Sequence, residues 1–389
     1  MSKSVVMMRC LLVGFAVALT ALASAMSANA APKKSQFKVL HNFAGGTKDG
    51  CTSNSRITTD GAGNIYGTSL FCGLDNGGVV FKLASDGTET ILHAFTGGPD
   101  GLEPHGGVTL MRNGDMYGTT TGGGKNGFGT LFKLTRKDKL KVLHDFVNNE
   151  GEGATGNLYR DKAGNFYGTS PIGGAGGSGT VFKYGTDGTF TVLHTFNGTD
   201  GSNPNEGLVA DKADSLYGVA FEGGTHNWGT VFKIDSAGNF STLHNFTDSP
   251  DGAEPFGRLA IDRDGNLYGS TVRGGTSGLG TVFKLAPDGT LTTLYSFTNG
   301  TGGANPYGDM LLVGKNLFST TITGGDPSCR CGVIYEITSK GNEKVLHTFT
   351  GTDGSGYSAG LTLDNDMFYG TVQNGGIDNY GDVFSLTKN

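Results

Sequence analysis

Signatures of catalysis are what this sequence of 389 residues lacks first: it has no Ser-His-Asp order, no zinc-ligand spacing and no phosphate-binding loop. Helical periodicity is also missing after residue 30, which excludes a helix bundle or an α/β layer. The one long apolar run, Leu11 to Ala23, is too short for an ordinary membrane span, so no membrane insertion is expected. Basic charge is in short supply, with a formal net charge of −6, and this argues against nucleic acid and anionic membrane surfaces as partners. Tryptophan occurs once, as Trp228.

Lys3 and Arg9 precede the apolar run, and Ser27-Ala28-Asn29-Ala30 offers a small-residue cleavage site before Ala31. This is the pattern of a secretory signal peptide over residues 1–30. Cys10 sits at the start of the apolar core and not in a lipobox, which speaks against lipid attachment. The segment carries two basic and no acidic side chains, so its removal moves the formal charge from −6 to −8. The expected product is soluble, exported and monomeric, whether outside the cell or in a periplasm. Four cysteines then remain, Cys51, Cys72, Cys329 and Cys331, which allow three pairings. A local Cys51 to Cys72 bond is expected, leaving Cys329-Arg330-Cys331 as a tight loop or a reactive pair. No histidine accompanies this Cys-x-Cys, so no metal site is read there, and no cofactor is expected.

Glycine, in contrast, is abundant at 69 residues, and it recurs at fixed places. The stretch from Leu243 to Phe297 is one full period of which the rest of the chain is an edited copy. The histidine of a Leu-His-x-Phe element falls at His41, His93, His144, His194, His244, Tyr295 and His347, at spacings of 50 to 52 residues. A Tyr-Gly element and a Gly-x-Val-Phe-Lys element each occur seven times as well. Within one copy four short runs have strand character, for example Leu208 to Asp211, Ser215 to Val219, Thr230 to Ile234 and Phe240 to Phe246, separated by Gly/Asp/Asn turns. Four antiparallel strands repeated seven times describe an all-β, seven-bladed β-propeller over residues 31–389. The chain begins with a lone fourth strand, Phe37 to Phe43, and ends on a third strand, Asp382 to Leu386, so the N-terminal strand is expected to close the last blade.

The repeated histidines invite a metal or acid–base reading, but a position on the outermost strand of every blade is remote from the axis and suits packing. The Tyr of Tyr-Gly and the Phe of Val-Phe-Lys are expected between blades as core. Asp262 to Asn266 begins like a calcium loop without its remaining ligands, and reads as a hairpin turn. Together the tandem Leu-His-x-Phe, Asp-Gly-x-x-Pro, Gly-Asn-Leu-Tyr-Gly and Gly-Thr-Val-Phe-Lys segments, over residues 36–387, resemble the repeat of the choice-of-anchor GloVer-containing proteins of bacteria. That resemblance implies a secreted or surface-attached bacterial protein with no settled activity. The absence of a sorting segment after Asn389 favours release.

Ligands of propellers gather at the channel mouth, so a site is expected where blades differ just before their first strands. Arg56, His105, Glu206, Arg258, Tyr307 and Asp309 occupy those places, and Trp228 stands on a loop of the same face. The arginines could hold a carboxylate or sulfate, Tyr307, Phe256 and Trp228 could stack on sugar rings, and His105 and His226 are the only histidines outside the repeat. The loop between second and third strands spans 11 residues in six blades and 13 in the other, leaving no long lid. Two functions follow: a recognition module for a glycan or surface partner, or a carbohydrate-active enzyme, lyase or hydrolase, with His105 or a tyrosine as base.

Overall fold

The structure, a computed structural model, describes residues 36–388; the signal-peptide reading, residues 1–30, lies outside the described residues. Seven antiparallel sheets follow one another along the chain, each with strands A to D in spatial order. In blade 4 these are Val209–Ala210, Leu216–Ala220, Thr230–Ile234 and Phe240–Asn245. Among the described residues the only helical turns are two 3-10 segments, Asn148–Glu150 and Gly300–Gly302. The protein is a seven-bladed β-propeller. In blade 7, strand Phe37–Asn42 pairs antiparallel with Asp382–Thr387, in the register Phe37 to Leu386 and Asn42 to Asp382, so the sheet joins the two ends of the chain.

The repeat residues explain the blade. The phenylalanine of Val-Phe-Lys on strand C and the one following strand D are fully buried and meet edge to face, as in Phe95 with Phe132 and Phe246 with Phe283, both at 5.2 Å. Burying each ring stabilises by about 2 to 3 kcal/mol, and the edge-to-face geometry adds roughly 1 kcal/mol. The glycine of Tyr-Gly follows from the same packing: a Cβ on Gly67 would stand 2.7 Å from the Phe81 ring.

The histidines of strand D hold the loop to the next blade. His93 Nε2 lies 3.1 Å from Asp100, His244 Nε2 2.8 Å from Asp251 and His347 Nε2 3.0 Å from Asp353. The same carboxylate accepts backbone N–H groups, such as that of Thr247 at 3.0 Å, and so fixes the loop that carries the chain toward the axis. Where the next blade's strand D begins with phenylalanine the ring stacks on it, His194 on Phe240 at 3.5 Å and His347 on Phe37 at 3.6 Å. Where Tyr295 replaces histidine, its hydroxyl donates to Glu343 of the next blade at 2.7 Å.

Asp262 accepts hydrogen bonds from the N–H of Asp264 and Asn266, from Asn266 Nδ2 and from the Tyr268 hydroxyl, so its lone pairs are spent within the hairpin. The tyrosines of Tyr-Gly depart from expectation in one respect. They pack against the apolar clusters between blades but stay half-buried at one end, because hydroxyls such as that of Tyr217 reach the hairpin aspartates, here Asp211 at 2.9 Å. Two disulfides form, Cys51–Cys72 and Cys329–Cys331.

Candidate functional site

The first strands of the blades line the axis, and each is led in by the residues singled out for their variation. Hydroxyls fasten neighbouring A strands to one another: Thr58 donates to the Val108 carbonyl at 2.8 Å, Thr109 to Leu158 at 2.9 Å and Thr362 to Ile57 at 2.7 Å. These threonines line a channel of about 310 Å³ together with Arg56, Asn157, Arg160 and Arg258. The backbones at its entrance are in contact. Gly107, at φ +71°, has its missing Cβ directed at the Arg56 carbonyl, 2.3 Å away, so no other residue fits there.

Across this entrance Asp309 of blade 6 stands between two guanidinium groups. Arg258 Nε lies 3.6 Å and Arg56 Nη1 3.8 Å from Asp309 Oδ2, while Asp309 Oδ1 accepts the backbone N–H of Arg258 at 2.8 Å. Both arginine side chains keep about a fifth to a quarter of their surface open, 21% for Arg56 and 25% for Arg258, against 8% for Asp309. Burial and the neighbouring Arg258 charge bring the Arg56 guanidinium down to about 10, with Asp309 opposing, so Arg56 is charged at neutral pH. Glu206 is raised well above the usual carboxylate range, first by burial and then by the Asp309 charge, with Arg258 opposing. Two guanidinium groups therefore share the single carboxylate of Asp309 across the entrance. Arg258 Nε is buried without a hydrogen-bond partner.

Beside the arginines runs an arc of rings. Phe221 lies 5.8 Å from Phe256, Phe256 stacks on Tyr307 at 3.7 Å, and Tyr307 meets Tyr357 at 4.7 Å. Burial and then the nearby Glu206 raise the Tyr307 hydroxyl far above its usual range, so it is a neutral donor in the free protein. Tyr357, 39% exposed, escaped the sequence reading because it sits one place before Ser358, the position aligned with Tyr307.

Arg56, Arg258, Asp309, Glu206 and Tyr307 thus form one group. His105 enters from blade 2, two residues before Gly107, and burial lowers its ring to about 4, leaving a neutral imidazole at neutral pH. Trp228 stands apart. Its carbonyl accepts the N–H of Glu254, four residues before Arg258 in the chain, so it borders the lead-in to that strand and not the arginine pair.

The matching family model is described as the Gloeobacter/Verrucomicrobia repeat and covers residues 27–213 and 188–384. The chain belongs to that family. No curated protein matches the sequence. The fold of the repeat is similar to virginiamycin B lyase from Staphylococcus aureus, at 15% identity and a TM-score of 0.59, covering 91% of this chain and 99% of that one. A structure described as a streptogramin B lyase is similar at 14% identity and a TM-score of 0.62, covering 91% and 98%. The extracellular domain of a one component system from B. thetaiotaomicron is similar at 15% identity and a TM-score of 0.55, covering 91% of this chain and 41% of that one. At such identities these likenesses concern the fold alone.

Proposed function

We propose that the protein is an extracellular recognition propeller that binds a glycan, or another surface partner, through carboxylate or sulfate groups at the arginine-framed channel mouth. The observation that carries this reading is the unspent charge there. Two guanidinium groups share one carboxylate, and the buried Arg258 Nε has no partner in hydrogen-bond range. An anion entering from the open side would accept from both arginines through charge-assisted bonds, and the Phe256, Tyr307 and Tyr357 rings beside them offer faces for sugar stacking. Two disulfides support an oxidising, extracytoplasmic setting.

One observation favours a second reading, a carbohydrate-active enzyme: His105 is kept neutral by burial and could accept a proton from a uronate ring held by the arginines. A glycan array followed by product analysis on the positive polymers separates the two. Capture without cleavage supports recognition, and unsaturated or shortened products support the enzyme. An Arg56→Ala, Arg258→Ala double variant that binds the array hits as tightly as the parent rules out this mouth as the site.

A further inference from the structure

The seven blades are copies, so each one is a control for the others, and blade 2 stands out on the face opposite the arginine-framed mouth. Strand direction alternates within a blade, which places the A-to-B and C-to-D hairpins on that opposite face. The C-to-D hairpin of blade 2 reads Thr135-Arg136-Lys137-Asp138-Lys139-Leu140-Lys141, with four cations. The corresponding stretches of blades 1, 3, 4 and 5, residues 84–90, 185–191, 235–241 and 286–292, contain none. The hairpin fold therefore does not require them.

Two neighbouring positions add to this charge. The A-to-B hairpin of blade 2 carries Arg112 at a place that is also basic in blades 3 to 5 (Lys162, Lys212, Arg263), but the aspartate that precedes it and caps this turn in other blades (Asp60, Asp161, Asp211, Asp262) is replaced by Met111. On strand A of blade 3, Arg160 takes a place filled elsewhere by Thr59, Leu110, Ala210 or Ile261. Arg112, Arg136, Lys137, Lys139, Lys141 and Arg160 are all exposed.

These changes converge on one groove of about 980 Å³ between blades 2 and 3, at the upper end of the roughly 300–1,000 Å³ usual for ligand clefts. Arg112, Lys133, Lys141 and Arg160 line it, and no carboxylate does. Lys133 is paired with Asp115 at 2.7 Å, which leaves three cations unneutralised. Aromatic rings lie among them: Tyr117 stacks on Phe166 at 4.4 Å, the Arg160 guanidinium stands 6.0 Å from the Phe166 centroid, and Tyr184 lines the wall. A groove on the same face between blades 3 and 6 shows what the repeat gives by default. It is lined by Lys162, Lys212, Arg263 and Lys315 balanced by Asp211, Asp214, Asp262 and Asp264.

We infer that the groove between blades 2 and 3 is a second binding site, and that it takes an acidic polysaccharide chain whose carboxylate or sulfate groups pair with Arg112, Lys141 and Arg160. Cations spaced along an open trench suit a polymer with a charge on each sugar, and the interleaved rings suit the apolar faces of those sugars. A long nucleic acid duplex is disfavoured because the chain as a whole is acidic and repels it beyond the groove.

Affinity electrophoresis and calorimetry with polygalacturonate oligosaccharides as probe test this site. Binding is expected to weaken with salt, and dextran is expected not to bind. The Arg112→Gln, Lys141→Gln, Arg160→Gln variant should lose affinity by about tenfold or more. A Lys212→Gln, Arg263→Gln, Lys315→Gln variant makes the same change of net charge in the balanced groove and should bind like the parent. The single Lys141→Glu change, at an exposed position, gives the same reading should the triple variant fold poorly. Unchanged affinity in both groove variants, equal losses in the balanced-groove control, equal binding of dextran, or tighter binding of duplex DNA of the same charge would each overturn the proposal.

Discussion

Arg258 and Asp309 meet twice, the backbone N–H of the arginine donating to Oδ1 at 2.8 Å and its Nε lying 3.6 Å from Oδ2. Because Arg56 approaches the same Oδ2 at 3.8 Å from across the ring, one carboxylate ties three separate blades together at the channel entrance. Removing a charge from such a set leaves its partners facing each other in a poorly solvated place.

Asp309→Asn should therefore destabilise the protein by about 2 kcal/mol, less than for a fully buried ion pair because both arginines keep contact with solvent. The loss should be recovered in part by sulfate, which can replace the missing anion. Urea unfolding in sulfate and in chloride at matched ionic strength measures this. Sulfate stabilises most proteins, so the relevant quantity is the excess gain of the variant over the parent. No excess means that the entrance does not take up anions.

The closing strand supplies a second expectation. Phe43 is fully buried and lies 5.3 Å from Phe81, while Phe37 stacks on His347 and packs near Phe349, so this one strand serves the core of both ends of the chain. Phe43→Ala should cost about 4 kcal/mol, and deletion of residues 36–43, which leaves Cys51 in place, should remove cooperative unfolding by exposing two sheet edges. A deletion variant that melts like the parent shows that the ring does not depend on this strand.

The number of blades, the strand order and the closing strand were legible because each rests on residues that recur at spacings of 50 to 52: one His, one Tyr-Gly and one Phe per blade repeat the same packing seven times. The tyrosines were legible as interblade packing but their hydroxyl partners were not, because a period shows that a residue is repeated, not which end of the strand its hydroxyl reaches; the deciding partner, Asp211 for Tyr217, is a turn residue. At the axis, Arg56, Arg258 and Asp309 could be named from their departure from the repeat. Their pairing with one another, and the burial and charges that raise Glu206, depend on distances between blades that no local pattern contains.

The disulfides should differ in weight. Cys51–Cys72 spans 21 residues and fastens the lead-in of blade 1 to its loop between strands B and C, so Cys51→Ser with Cys72→Ser should lower stability by about 3 kcal/mol through the freedom restored to the unfolded chain. Cys329–Cys331 closes a span of two residues, and its double serine variant should change the urea midpoint far less. Equal shifts would mean that the loop-entropy argument does not govern this protein.

Asp382 gives a pH-dependent expectation with a definite sign. In blades 2 to 5 the corresponding position on strand C is a threonine whose hydroxyl donates to the backbone carbonyl entering the blade, Thr130 to Asp100, Thr180 to Glu150, Thr230 to Asp200 and Thr281 to Asp251. In blade 7 a carboxyl takes this place, fully buried, with neither oxygen hydrogen-bonded. Burial pushes it up to about 7, the Asp353 charge adds to the rise, and His41 opposes it. A folded-state value above the ordinary 3.8 means that the native protein binds the proton more tightly than the unfolded chain, so the contribution is fully present below about pH 4 and is lost as pH rises toward 7. Three units correspond to roughly 4 kcal/mol at most. Asp382→Thr restores the hydroxyl of the other blades and removes this dependence. Its advantage over the parent in urea unfolding should be smallest near pH 4, grow through pH 5 and 6, and level off above pH 7. A stability difference that stays flat over this range would show that Asp382 titrates normally in the folded ring, and that the buried carboxyl is solvated by some route other than the protein.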